Sequence, residues 1–312
     1  MAVIITALHR GEDVPEPMAA RRVLSVLKSY MEERAGYLLI ATECRPQRGL
    51  VTCVTPQTGL AGLLHYTAAA LASVFKKSDV VVVQGTPLLP LATLAKLLGK
   101  KVYVIELGDW PEAAYWRYYA VKGPRLAKAV RNVLSIARRI TLAVADKFIT
   151  NSAEVYVKLR GRPVLKIPKY TPALSTENHA PRRYITYVGR LSPEKGVDRL
   201  IRAYLATSMR CPLAIAGDGA LKSLVKKAAR HPKILYLGYL GPSQLSRLYA
   251  ETKILVIPSY SEGLPHVLLE AAKAQIPHIL IPSRLAIAKI RHPAISTFND
   301  EKDLAAKLDE LC

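Results

Sequence analysis

Apolar positions along this chain come in short runs rich in Val, Ile and Leu, separated by longer stretches with helical spacing. In the first half, the runs Ala2–Leu8, Tyr37–Glu43, Leu50–Thr55, Asp79–Gly85, Lys101–Leu107 and Lys147–Ser152 predict six strands. Helices are expected between them, over Pro17–Arg34 and Pro90–Gly99. A second series follows at Tyr184–Arg190, Pro212–Gly219, Lys233–Tyr239, Lys253–Ser259 and Pro277–Ser283, again with helical stretches between. The runs are continuous rather than alternating, which is expected of parallel strands covered on both faces. Residues 80–99 approach the length of a membrane span, but Gln84, Pro87, Pro90 and Lys96 divide them. A strand, a turn and a buried helix account for that stretch.

The rhythm breaks over residues 168–183, which are rich in Pro, Thr, Ser and Asn. An interdomain linker is expected there. The predicted domains are residues 1–172 and 173–312. The fold class is α/β, with two Rossmann-like parallel-sheet domains facing a cleft. Ligands in such sheets bind beyond the carboxyl ends of the strands.

Composition narrows the partners. The 312 residues include 45 Lys and Arg against 24 Asp and Glu, a formal net charge of +21. That excess fits an anionic partner, or equally the charged surface common in thermophile proteins. Cys44, Cys53, Cys211 and Cys312 have neither CxxC spacing nor a His cluster beside them, so neither a zinc site nor a disulfide framework is expected. The apolar part of the N-terminus is too short for a secretory signal, and a cytoplasmic protein is expected.

The candidate chemistry lies in the second half. Glu262 and Glu270 flank the start of a predicted helix, with Gly263, Leu264 and Pro265 forming its entry turn. Pro265 suits a first helical position, and free N–H groups around Leu264, His266 and Val267 would make an anion site. Carboxylates there suit sugar and ribose hydroxyls. Taken alone, the same pattern fits a solvated helix with an acidic first turn. Arg190 follows a predicted strand, and Lys195 precedes Gly196 at the start of an amphipathic helix. Two loop cations five residues apart can converge on a diphosphate, with no metal required. Gly217, in a Gly-Asp-Gly strand exit, would line a nucleotide or simply make a tight turn.

Taken in order, the segments 187–204, 213–228, 234–272 and 300–311 resemble the second domain of the family 4 glycosyltransferases, which have the GT-B fold. The resemblance is weaker around residues 79–85, 97–109 and 145–155. It implies a retaining transfer of a hexose from a nucleotide-diphosphate sugar to an acceptor, without a metal or other cofactor. By position, Arg190 and Lys195 would hold the diphosphate. Glu262, with Gly263, Leu264 and Pro265, would contact the transferred sugar, and Glu270 would hold the ribose hydroxyls. Glu262, Arg190 and Lys195 are thus the expected catalytic residues.

The chain departs from the family pattern at several places. Gly11 stands alone where a Gly-Gly loop is usual, Glu106 and Leu107 replace a strand-end His, and Gln275 replaces a Gly after the Glu270 helix. An inactive relative that binds an anionic membrane or nucleic acid is one alternative, and another sugar-nucleotide enzyme such as an epimerase is a second. Between residues 109 and 140, Trp110, Tyr115, Trp116, Tyr118 and Tyr119 precede a run of Lys and Arg. That mixture suits an anionic membrane surface at the cytoplasmic face, a lipid-linked acceptor or stacked single strands, and equally aromatics packed under a loop. Of these partners an anionic membrane is favoured over nucleic acid, and the packed-aromatics reading stays open beside both.

Overall fold

Two all-parallel sheets account for the strand runs. The computed structural model describes residues 2–6, 37–42, 51–54, 72, 75, 80–84, 89–105, 109–150, 164–166, 181–263 and 265–312. The helix expected over 17–34, most of the linker, and Leu264 lie outside these residues. The chain divides into two units, residues 1–111 with 131–170, and residues 112–130 with 171–312.

The first unit carries β1 (Ala2–Thr6), β2 (Tyr37–Thr42), β3 (Val51–Val54), β4 (Val80–Gln84), β5 (Lys101–Ile105), β6 (Lys147–Thr150) and β7 (Val164–Lys166). Their order is β3-β2-β1-β4-β5-β6-β7, all parallel. Helix α1 (Leu89–Leu97) joins β4 to β5 and buries Ala92 and Ala95. Val81, Val102, Val104, Phe148 and Ile149 are buried in the sheet.

Two helices follow β5: α2 (Trp110–Lys122) and α3 (Pro124–Val144). The aromatic cluster and most of the basic run that follows it are thus parted at Gly123, because Pro124 has no N–H to continue α2 and opens α3 instead.

The second unit holds β8 (Tyr184–Val188), β9 (Leu213–Ala216), β10 (Ile234–Gly238), β11 (Thr252–Val256), β12 (His278–Pro282) and β13 (Ile295–Phe298). The order β10-β9-β8-β11-β12-β13 repeats the 3-2-1-4-5-6 arrangement of the first sheet. Helices α4 (Val197–Leu205), α5 (Lys222–Ala228), α6 (Pro242–Ala250), α7 (His266–Lys273) and α8 (Glu301–Leu311) follow the strands. The continuous apolar runs are explained by two cores. Ile254 and Val256 of β11 face one cluster with Leu200, Tyr204, Leu304 and Leu308, while Leu255 and Ile257 face another with Leu268 and Ala271. β7 and β13 were not anticipated. They have three and four residues and no long apolar run.

The second unit also contains one disulfide, Cys211–Cys312, a single bridge rather than a framework. Sequence spacing misses it because the partners are 101 residues apart and only the fold brings them together.

Candidate active site

In a 3-2-1-4-5-6 sheet the chain reverses direction between its first and fourth strands, and the loops leaving those strands diverge to open a crevice. In the second unit these strands are β8 and β11, and most of the expected site residues lie on the two loops that leave them.

The β8 exit runs from Gly189 through Arg190 to a single 3-10 turn at Pro193–Lys195, then Gly196 and α4. It presses directly against the β11 exit. A Cβ on Gly196, whose φ is +69°, would sit 2.2 Å from the Pro258 carbonyl oxygen, so only glycine fits. The Tyr260 N–H donates to the Glu194 carbonyl at 2.9 Å and ties the two loops together.

This clasp brings Lys195 and Glu262 into contact. Lys195 Nζ donates to Glu262 Oε1 at 2.6 Å, and Ser259 Oγ donates to the same oxygen at 2.9 Å. Both side chains are largely buried, with Glu262 retaining about 10% exposure and Lys195 23%. The cation and carboxylate expected to grip different parts of a ligand are each other's counter-ion here. Arg190 stands beside them, half exposed, with Nη2 3.8 Å from Glu194 Oε1.

Glu194 was not singled out from the sequence, although it adjoins Lys195. It is buried, and Arg117 Nη2 donates to its Oε1 at 3.3 Å. Burial alone would raise its pKa, but its own backbone N–H and the guanidiniums of Arg117 and Arg190 outweigh that and hold the carboxyl below its ordinary value. Arg117 and Trp116 come from α2, far away in sequence; Trp116 belongs to the aromatic cluster seen in the sequence, whereas no local signal marks Arg117. The Trp116 ring stacks on Tyr260 with centroids 4.1 Å apart.

Among the described residues, four buried side-chain atoms lack a hydrogen-bond partner: Ser192 Oγ, Glu194 Oε2, Asp198 Oδ1 and Arg199 Nη1. All four fall within eight consecutive positions at the β8 exit. Buried polar atoms are nearly always satisfied, so such a cluster points to water or a ligand.

The other expected residues lie close by in the fold. Pro265 precedes the first helical residue of α7 rather than occupying that position, and its carbonyl accepts from the Leu268 N–H at 3.2 Å. Its backbone is extended, with ψ 140°, which puts it at the helix cap. Gly263 lies in the turn before it. Glu270 is one turn inside α7 and buried, with Oε2 accepting from the Tyr249 hydroxyl at 2.8 Å. Burial, reinforced by this carboxylate, drives the Tyr249 pKa well up, so Tyr249 keeps its proton and acts as donor. Gly217 packs backbone to backbone. Its φ is +141°, and a Cβ there would lie 1.8 Å from the Gly189 carbonyl oxygen, which lets the β8 and β9 exits run side by side. Among the described residues, no group of three His, Cys, Asp or Glu is placed to hold a metal ion.

An α/β sheet of this order, with cations and carboxylates at its reversal point, belongs to the doubly wound class, in which ligands bind at that crevice. The comparison with known families is more specific. Residues 175–312, within this second unit, match the family of group 1 glycosyl transferases. It is 35% identical over 115 residues to O-antigen chain mannosyltransferase B of Escherichia coli, covering 34% of this chain and 30% of that protein. A GDP-mannose-dependent alpha-mannosyltransferase of Mycolicibacterium smegmatis is 35% identical over 98 residues, covering 31% and 25%. The chain thus spans less than a third of the length of these curated relatives. Among solved structures, the sucrose-phosphate synthase of Thermosynechococcus elongatus superposes with a TM-score of 0.70 at 14% identity, covering 99% of this chain and 89% of that one. Anabaena HepE in complex with UDP and glucose gives 0.64 at 16% identity, with the same coverage. These likenesses show the fold, two Rossmann-like domains of the GT-B class.

Proposed function

We propose that the chain is a retaining glycosyltransferase that moves a hexose from a nucleotide-diphosphate sugar to a lipid-linked acceptor at the cytoplasmic face of a membrane. The observation that carries this reading is the Lys195–Glu262 pair, joined at 2.6 Å where the β8 and β11 exits meet. The nucleotide-sugar relatives, and the UDP and glucose bound by HepE, support the donor class. In this reading residues 173–312 bind the donor and residues 1–172 carry the acceptor.

Donor binding divides the ion pair. Lys195 and Arg190 turn to the diphosphate, and Glu262, still held by Ser259, accepts from hydroxyls of the transferred hexose beside Gly263, Leu264 and Pro265. Glu270 offers the ribose the oxygen that Tyr249 does not occupy, and Gly217 lets the backbone approach the nucleotide. As the glycosidic bond breaks, negative charge grows on the departing diphosphate. Preorganised cations and the N-terminus of α7 meet that charge without a metal. The departing phosphate oxygen takes the acceptor's proton on the face it vacates, so the anomeric configuration is kept.

Support for the membrane comes from α3. Leu126, Val133, Ile136 and Ile140 are exposed at intervals of one to two turns, and Arg125, Lys128 and Arg139 are exposed on the same helix. Apolar and basic residues together suit the interface of an anionic bilayer.

The reading is tested by thermal shift with UDP, GDP, ADP and their sugars on wild type, Lys195→Ala and Glu270→Ala. One nucleotide sugar should stabilise the wild type and neither variant. Absence of any nucleotide effect on the wild type would refute the reading. The anomeric configuration of the product, read by NMR, tests retention separately.

A further inference from the structure

A pocket of about 370 Å³ in the second unit is lined by Arg199, Tyr260, Arg284, Asp300, Glu301 and Lys302. It lies at the carboxyl ends of β11, β12 and β13, against the first turns of α4 and α8. Its two acids are already engaged. Glu301 accepts from Arg202 at 2.8 Å, and Asp300 caps α8 by accepting from the Asp303 N–H at 2.8 Å. Its three cations have aromatic or carbonyl neighbours at most, for among the described residues Arg199, Arg284 and Lys302 make no ion pair.

Arg199 is the unusual member. It is 6% exposed, reaches the Asn299 carbonyl through Nη2 at 3.2 Å, and leaves Nη1 buried without a partner. Its guanidinium lies 5.5 Å from the Tyr260 ring centroid, and that of Arg284 lies 5.1 Å from the same ring. Burial, with the like charge of Arg284 adding to it, holds the Arg199 pKa below its ordinary value. An aromatic face eases a desolvated cation but accepts none of its in-plane N–H donors. Guanidiniums that no carboxylate holds in an ion pair have donors in the geometry that phosphate oxygens accept.

We propose that this pocket is a second anion site, taking a phosphorylated ligand through Arg199, Arg284 and Lys302 with Tyr260 as its floor. It shares no residue with the donor contacts assigned above and stands without the transferase reading. The phosphate can belong to a soluble ester or to a lipid headgroup.

Isothermal titration of the full chain with inorganic pyrophosphate at constant ionic strength tests this. Arg284 and Lys302 are exposed, so their replacement by Ala leaves the core intact. The wild type should bind at two sites. Arg284→Ala and Lys302→Ala should each weaken one of them at least tenfold, while Lys195→Ala removes only the other. If the transferase reading alone fails, Lys195→Ala changes nothing and Arg284→Ala still removes binding. Unchanged binding in both Arg284→Ala and Lys302→Ala, or loss of every site in Lys195→Ala, overturns the proposal. Competition by glycerol 3-phosphate assigns a soluble ester, and competition only by vesicles containing phosphatidic acid assigns a headgroup. Either result supports the site.

Discussion

Gln275 has φ +52°, a left-handed conformation that costs most residues about 1–2 kcal/mol and glycine almost nothing. The position demands it. The Gln275 N–H donates to the Ala272 carbonyl and the Ile276 N–H to that of Ala271, the two bonds that close a helix end by a left-handed residue. Gln275→Gly should therefore raise stability by about 1 kcal/mol in urea unfolding. Glu194 makes the opposite case. Its folded pKa is depressed below the ordinary 4.5, so the ionised carboxylate stabilises the fold above that pH, and the contribution is lost as pH falls through the folded value. Glu194→Gln should cost about 1–3 kcal/mol at pH 7, and the gap to wild type should narrow in acid. A gap that widens below pH 4.5 would contradict the assignment.

At the scale of elements, α8 is fastened to the sheet at both ends. Asp300 caps its N-terminus, and Glu301 accepts from Arg202 of α4. Asp309 accepts from the Ser208 N–H at 2.9 Å, and Cys312 closes the disulfide to Cys211. A bridge across about 100 residues removes chain entropy from the unfolded state, and such bridges contribute about 2–4 kcal/mol. Cys312→Ser should lower stability by that amount, as should dithiothreitol acting on the wild type. The helix should stay seated, because Leu304 and Leu308 remain buried against α4. Retained far-ultraviolet circular dichroism with a lowered unfolding midpoint is the expected pair of results. Arg182 does similar work on the other face. Its guanidinium donates to the Tyr249 carbonyl at 3.4 Å and to the Ala274 carbonyl at 3.0 Å, so one cation serves the ends of α6 and α7.

At the scale of the whole molecule, each unit has its own sheet and core, while every residue assigned to donor binding lies in the second. A ligand that binds only the folded state stabilises it by about 2.7 kcal/mol at one hundred times its Kd. Calorimetry with a saturating nucleotide sugar should therefore raise the transition of the second unit and leave that of the first in place. A donor that raised both together would show that the first unit contributes to its binding. The net charge of +21 acts at this scale as well, because summed fields steer anions to a surface whichever pocket finally holds them.

The α/β class, most of the strands and the places of Arg190, Lys195 and Glu262 at strand exits are legible in the sequence. These are local properties: continuous apolar runs record burial on both faces, and charged residues just past a strand record its carboxyl end. The tertiary structure alone decided that Lys195 and Glu262 pair with each other, because 67 residues separate them and only the adjacency of β8 and β11 closes that gap. It also decided the arrival of Trp116 and Arg117 beside Tyr260 and Glu194, the Cys211–Cys312 bridge, and the gathering of Arg199 and Arg284 around one aromatic ring. Each depends on which loops the sheet order makes neighbours, and that order is set by packing across the whole domain rather than by any local pattern.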